Sequence, residues 1–153
     1  MNTQQFFYIS YIQTTPDELW DALTKSEFTR QYWMGNDVES DWRTGSSVKF
    51  IKLDRKGVLF GKVLAADKPK ILSYTWSFQK DELTQPEKPS RVTFLLEQLS
   101  SNPELVKLTV THDEFQENST EFNDISNGWP MVLSSLKTLL ETKQAIHFQG
   151  TCK

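Results

Sequence analysis

Hydrophobic and polar positions alternate as the chain opens. The segment from Phe6 to Thr14 is rich in aromatic and β-branched side chains, which predicts a first strand. The spacing then becomes helical. Leu19, Trp20 and Leu23 form a stripe behind Thr15-Pro16-Asp17-Glu18, where a hydroxyl, a proline and two acids have the order of a capping box. Ser26-Glu27 starts a second short helix with Phe28, Tyr32 and Trp33 near one face, and Gly35-Asn36 stops it.

Between Asp37 and Phe115 strand-length runs alternate with turn residues, the spacing of an antiparallel meander. The predicted strands are Val38 to Trp42, Val48 to Leu53, Val58 to Ala66, Ile71 to Phe78, Arg91 to Leu99 and Leu105 to Thr111. Thr44-Gly45-Ser46, Asp54-Arg55-Lys56-Gly57 and Asp67-Lys68-Pro69 supply the first turns. Leu72, Tyr74, Trp76 and Phe78 share one face of their strand, which is expected to point inward. Lys80 to Pro89 and the acidic stretch Gln116 to Asp124 read as loops.

Trp129, Val132, Leu133, Leu136, Leu139 and Leu140 then mark a long closing helix. Pro130 belongs in its first turn, or at a kink if the helix extends upstream through Ile125. A helix with one apolar stripe and a sheet with one apolar face must cover each other. The expected fold is therefore α+β and of helix-grip form: a curved seven-stranded antiparallel sheet, two short helices and a long C-terminal helix. One domain is expected over residues 1–153, with a core at about 4–143 and a tail at 144–153.

Composition narrows the function classes. The 153 residues carry a formal charge of -3 with dispersed lysines and arginines, so no phosphate backbone or other nucleic-acid partner is expected. No apolar run reaches the ~20 residues of a membrane span, and the N-terminus does not read as a secretory signal, so a cytoplasmic protein is expected. The single cysteine, Cys152, excludes an internal disulfide. Five tryptophans and ten phenylalanines are a heavy aromatic load, suited to filling a core or lining a pocket for flat apolar ligands.

Several segments in order resemble the START-like or SRPBCC superfamily and, within it, the homologues of the activator of heat-shock protein 90 ATPase. They are Thr15 to Leu23, Glu39 to Ser46, Gly61-Lys62-Val63-Leu64 leading to Pro69, Tyr74-Thr75-Trp76, Val92-Thr93-Phe94, Thr111 to Phe115, and Gly128-Trp129-Pro130 with Leu133, Leu136 and Leu140. The resemblance implies a cavity between sheet and last helix, used across the superfamily for lipids, sterols, polyketides and flavonoid-like aromatics. Some relatives are cyclases or hydrolases, and one branch is a co-chaperone domain that stimulates an ATPase.

On that basis the expected cavity residues are Trp33, Trp42, Phe50, Phe60, Tyr74, Trp76, Phe78, Phe94, Leu108, Trp129, Leu133 and Leu136, and the expected occupant is a small hydrophobic molecule held without catalysis. Core filling is the alternative fate for each ring. His112 beside Asp113 and Glu114 offers an acid-base pair, but neighbours on a strand face opposite ways and no nucleophile accompanies it, so a structural role is expected there and for His147. No zinc or calcium spacing, phosphate loop or Gly-x-Ser-x-Gly turn is present, and no cofactor or metal is expected. Lys49, Lys52, Lys56, Lys62, Lys68 and Lys70 read as charges that keep strand edges soluble, with a docking face for an acidic partner such as a chaperone as the alternative. Pairing of two copies through a sheet edge stays open.

Overall fold

The computed structural model describes residues 4–148, so Cys152 and the end of the expected tail lie outside the described residues. The alternating segments become β1 (Phe6–Ile12), β2 (Asp37–Ser40), β3 (Ser47–Ile51), β4 (Val58–Asp67), β5 (Ile71–Gln79), β6 (Ser90–Ser101) and β7 (Glu104–Asp113). The helices are α1 (Pro16–Thr24), α2 (Ser26–Tyr32) and α3 (Thr120–Thr142). All strand pairs are antiparallel, in the order β1-β7-β6-β5-β4-β3-β2, so the first strand closes one edge by pairing with the last.

Local chemistry sets the helix ends. Thr15 Oγ1 accepts from the Glu18 backbone N–H at 3.1 Å, and Pro16 occupies the first turn of α1, where no intrahelical donor is needed. α3 begins at Thr120, inside the stretch expected to be a loop. Ser119 Oγ accepts from the Phe122 N–H at 3.1 Å, and the Glu87 carboxylate, from the loop between β5 and β6, takes the Ser119 hydroxyl at 2.5 Å and the Thr120 N–H at 3.0 Å. A carboxylate 33 residues upstream completes the cap, which no local pattern could show. Pro130 consequently sits in the interior of the helix rather than in its first turn.

A second difference lies after β2. The sheet loses the chain at Ser40, whose Oγ accepts the Trp42 N–H at 3.0 Å, and Trp42 turns into the left-handed region at φ 55° instead of ending a strand. Farther along, Gly61 of β4 lies so close to β5 that a Cβ there would stand 1.8 Å from the Thr75 carbonyl oxygen. Only glycine permits that approach.

The inner face of the sheet carries Leu72, Tyr74 and Trp76 of β5, Val92, Phe94 and Leu96 of β6, and Val106, Leu108 and Val110 of β7, all buried. α3 covers it with Trp129, Val132, Leu133, Leu136 and Leu139. Each such side chain removed from water stabilises the fold by about 1.5–3 kcal/mol before entropy is counted. The helix is also tied to the edge strand: Lys137 Nζ donates to the Tyr11 carbonyl at 2.6 Å, and the Gln13 N–H donates to Glu141 at 2.8 Å.

Candidate functional site

The rings expected to surround a cavity mostly touch one another. Trp33 and Trp129 have centroids 5.3 Å apart, Trp76 and Trp129 5.6 Å, Phe50 and Trp76 5.3 Å, Phe50 and Tyr74 5.7 Å, and Phe94 and Trp129 5.9 Å. These tilted arrangements are the ones that the ring quadrupole favours. Phe50, Tyr74, Phe94, Leu108, Leu133 and Leu136 are buried in this packing. Trp42 is half-buried against Tyr74 at 6.0 Å and donates its indole N–H to the Thr24 carbonyl at the end of α1. Phe60 lies elsewhere. It is 37% exposed and belongs to the outward set of β4, between the buried Leu59 and Gly61, so it does not join the others.

What remains open is a cleft of about 460 Å³ at one end of the gap between sheet and helix. Trp33, Trp76 and Trp129 form its floor, with Leu59, Phe78, Ile125 and Val132 around them. Of the expected cavity residues, Trp33, Trp76, Phe78 and Trp129 reach it. The end of β3 and the turn to β4 bring Lys52, Asp54, Arg55 and Lys56 to one wall, and α3 brings Glu121, Asp124 and Gly128 to the other. A larger hollow of about 700 Å³ lies between α2 and residues 143–148. One of its walls is residues 143–148, which belong to no strand or regular helix, whereas the cleft is framed by sheet and helix.

In sequence Arg55, Glu121 and Asp124 stand only as turn and loop residues, and Lys52 as one of the charges that keep strand edges soluble. Their convergence depends on two elements 66 residues apart in sequence, Arg55 on the turn and Glu121 on α3, and on an early helix start that the sequence did not announce. Burial and the nearby Glu87 and Asp124 carboxylates push the Glu121 carboxyl up to about 7. Burial pulls the Arg55 guanidinium down from its ordinary value, against the opposing pull of Asp54.

His112 stands behind the floor, fully enclosed. The Trp129 indole can only donate, so His112 Nδ1 accepts from it at 3.0 Å and Nε2–H donates to Ser90 Oγ at 2.7 Å. Ser90 Oγ in turn donates to the Trp76 carbonyl at 3.3 Å. Burial drops the His112 pKa to about 3, against the pull of Asp113, so the ring is neutral at physiological pH. With both nitrogens engaged inside the core, it braces the Trp129 indole and, through Ser90, the Trp76 backbone. Tyr74 is different: its hydroxyl is buried with no hydrogen-bond partner, and burial followed by the nearby Tyr32 pushes its pKa well up. Among the described residues no group of three or more His, Cys, Asp or Glu is placed to hold a metal ion, and no helix is long and apolar enough to cross a membrane.

The family model described as Activator of Hsp90 ATPase homolog 1-like protein matches residues 13–141. No curated protein matches. Among solved structures, protein MLL2253 from Mesorhizobium loti is 28% identical, with a TM-score of 0.72 over 89% of this chain and 96% of that one. PFC0360w, an HSP90 activator from Plasmodium falciparum, is 19% identical with a TM-score of 0.72 over 90% and 96%. The Aha1 dimer from Colwellia psychrerythraea is 22% identical with a TM-score of 0.69 over 90% and 96%.

Proposed function

Because the chain belongs to the family of Activator of Hsp90 ATPase homolog 1-like proteins, we propose that it binds a small hydrophobic or aromatic molecule at the mouth of its sheet-helix gap, without catalysis. The carrying observation is the cleft of about 460 Å³ floored by Trp33, Trp76 and Trp129. Its volume is in the range of small-molecule sites, and its apolar floor with a few polar groups at the rim is their usual chemistry. The ligand sits nearer the surface than the residue pattern alone implied, because the inner part of the gap is filled by the protein's own rings.

Gly128 provides the test. It lines the cleft, and a Cβ placed on it meets no heavy atom within 4 Å, so the side chain of Gly128→Leu starts in open space and takes up room in the cleft. In a thermal-shift screen of lipids, sterols and polycyclic aromatics, at least one class should raise the Tm of the native chain and have no effect on Gly128→Leu. The unliganded variant should melt at the same temperature or higher, since leucine favours a helix over glycine by about 0.5–1 kcal/mol. Equal ligand shifts in both proteins would place binding elsewhere.

A second reading follows from the relatives. The Plasmodium protein is described as an HSP90 activator, and by analogy this domain would stimulate a chaperone ATPase through surface contact. A steady-state ATPase assay with purified chaperone tests it, and an unchanged rate removes it. The Colwellia protein is described as a dimer, and this chain exposes Phe7, Ile9 and Tyr11 along its edge strand β1. Sedimentation velocity reads whether two copies pair.

A further inference from the structure

The two walls of the cleft differ in how they hold charge. Lys52, Arg55 and Lys56 stand on the β3–β4 wall, and among the described residues neither Arg55 nor Lys56 has a carboxylate within ion-pair distance. Arg55 is fixed in place by neutral acceptors. Its Nη1 donates to Asn36 Oδ1 at 2.5 Å, its Nη2 donates to the Phe50 carbonyl, and its Nε is enclosed with no acceptor. The guanidinium is therefore partly desolvated, with only the exposed neighbour Asp54 to offset its charge, a costly arrangement that a closer counter-charge relieves. The Lys52 side chain is only 12% exposed, and its nearest carboxylate oxygen, Asp54 Oδ1, is 3.8 Å away, beyond hydrogen-bond distance.

The opposite wall does not offer an equivalent site for a cation. Glu121 is crowded by burial, Glu87 and Asp124 until it holds its proton to about pH 7, and Asp124 is exposed to water. Asp54, on the cationic wall, is 81% exposed and already faces Lys52. A held guanidinium and a largely buried lysine beside a tryptophan floor match a planar oxyanion attached to an apolar body.

Resting on the cleft as the ligand site, we infer that its ligand class is an aromatic carboxylic acid, with the carboxylate on Arg55 and Lys52 and the ring system over Trp33, Trp76 and Trp129. The anion supplies a close counter-charge to Arg55, whose two Nη nitrogens each keep one hydrogen beyond those given to Asn36 and Phe50, and the floor takes the ring. Selectivity comes from the charge, because the floor itself accepts any flat apolar body.

The test uses three molecules with one ring system, measured on the intact protein by calorimetry: 2-naphthoate, 2-naphthamide and 2-naphthylmethylammonium. Naphthoate should bind about tenfold tighter than the amide, the scale of one charge-assisted hydrogen bond, and the ammonium should bind most weakly. Arg55→Gln should bring naphthoate down to the amide's affinity and leave the amide unchanged. Arg55 also ties Asn36 to Phe50, so Lys52→Met is measured beside it and should shrink the same preference. The comparison of ligands on the native chain needs no variant. Amide binding as tight as naphthoate, or tighter, overturns the inference and leaves the cleft as a neutral apolar site. Failure of all three to bind at millimolar concentration overturns both.

Discussion

His112 shows how much one buried polar side chain can organise. Its ring joins Trp129 to Ser90 and, through Ser90, to the Trp76 carbonyl, so two of the three floor tryptophans hang from it. His112→Leu would leave the Trp129 N–H without an acceptor and take from Ser90 Oγ the donor it accepts from, and chemical denaturation should register a loss of about 2–4 kcal/mol. The same ring makes stability depend on pH. Its folded pKa, about 3, lies below the ordinary 6.5, so the unfolded chain binds the extra proton. Stability from this group is intact above pH 6.5 and is lost as pH falls toward 3. Glu121 acts in the other direction: its raised pKa means that stability is lost as pH rises through about 7. Glu121→Gln should therefore raise Tm at pH 8.5 and change it little at pH 4. Tyr74→Phe removes a buried hydroxyl that has no partner, and its Tm should stay level or rise.

At the scale of elements, α3 depends on a carboxylate outside itself. Desolvation works to raise the Glu87 pKa, and the hydrogen bonds from Ser119 and Thr120 outweigh it, leaving the group below the ordinary carboxylate range. Glu87→Ala should cost about 0.5–2 kcal/mol in a urea melt, the range of a lost helix cap. It should also loosen the first turn, which carries Glu121. That cap explains why residues 116–124 read as a loop: their polarity was visible, but the partner that makes Thr120 a helix start was not. The closing stripe of α3, the two short helices and all seven strands were legible, since apolar spacing at 3.6 and at 2 residues is set by which face is buried. The turn at Trp42 was not, because it goes with two bonds that no alternation pattern reports, its backbone N–H to Ser40 Oγ and its indole N–H to the Thr24 carbonyl.

For the whole molecule, the inward direction of the aromatic faces followed from alternation, but whether those faces enclose space depends on side-chain volume. Trp33, Phe50, Trp76, Phe94 and Trp129 interlock and close most of the gap that the fold leaves. A period-2 pattern cannot report that. The opening that survives lies where the β3–β4 turn stands off from α3, and its charged walls come from residues with no shared motif. Phe60 failed to join because pleating sends it outward between two inward neighbours.

The five tryptophans offer the most direct measurement of where the protein works. Trp33, Trp76 and Trp129 floor the cleft, while Trp20 is buried on α1 and Trp42 packs against Tyr74 at the end of α1. Each indole N–H gives its own proton-nitrogen correlation peak in solution NMR. Titration with 2-naphthoate should move the peaks of Trp33, Trp76 and Trp129 and leave those of Trp20 and Trp42 in place. Movement of Trp42 and Trp20 with a still Trp33, or no movement at all at saturating ligand, would contradict a binding site at the mouth of the gap.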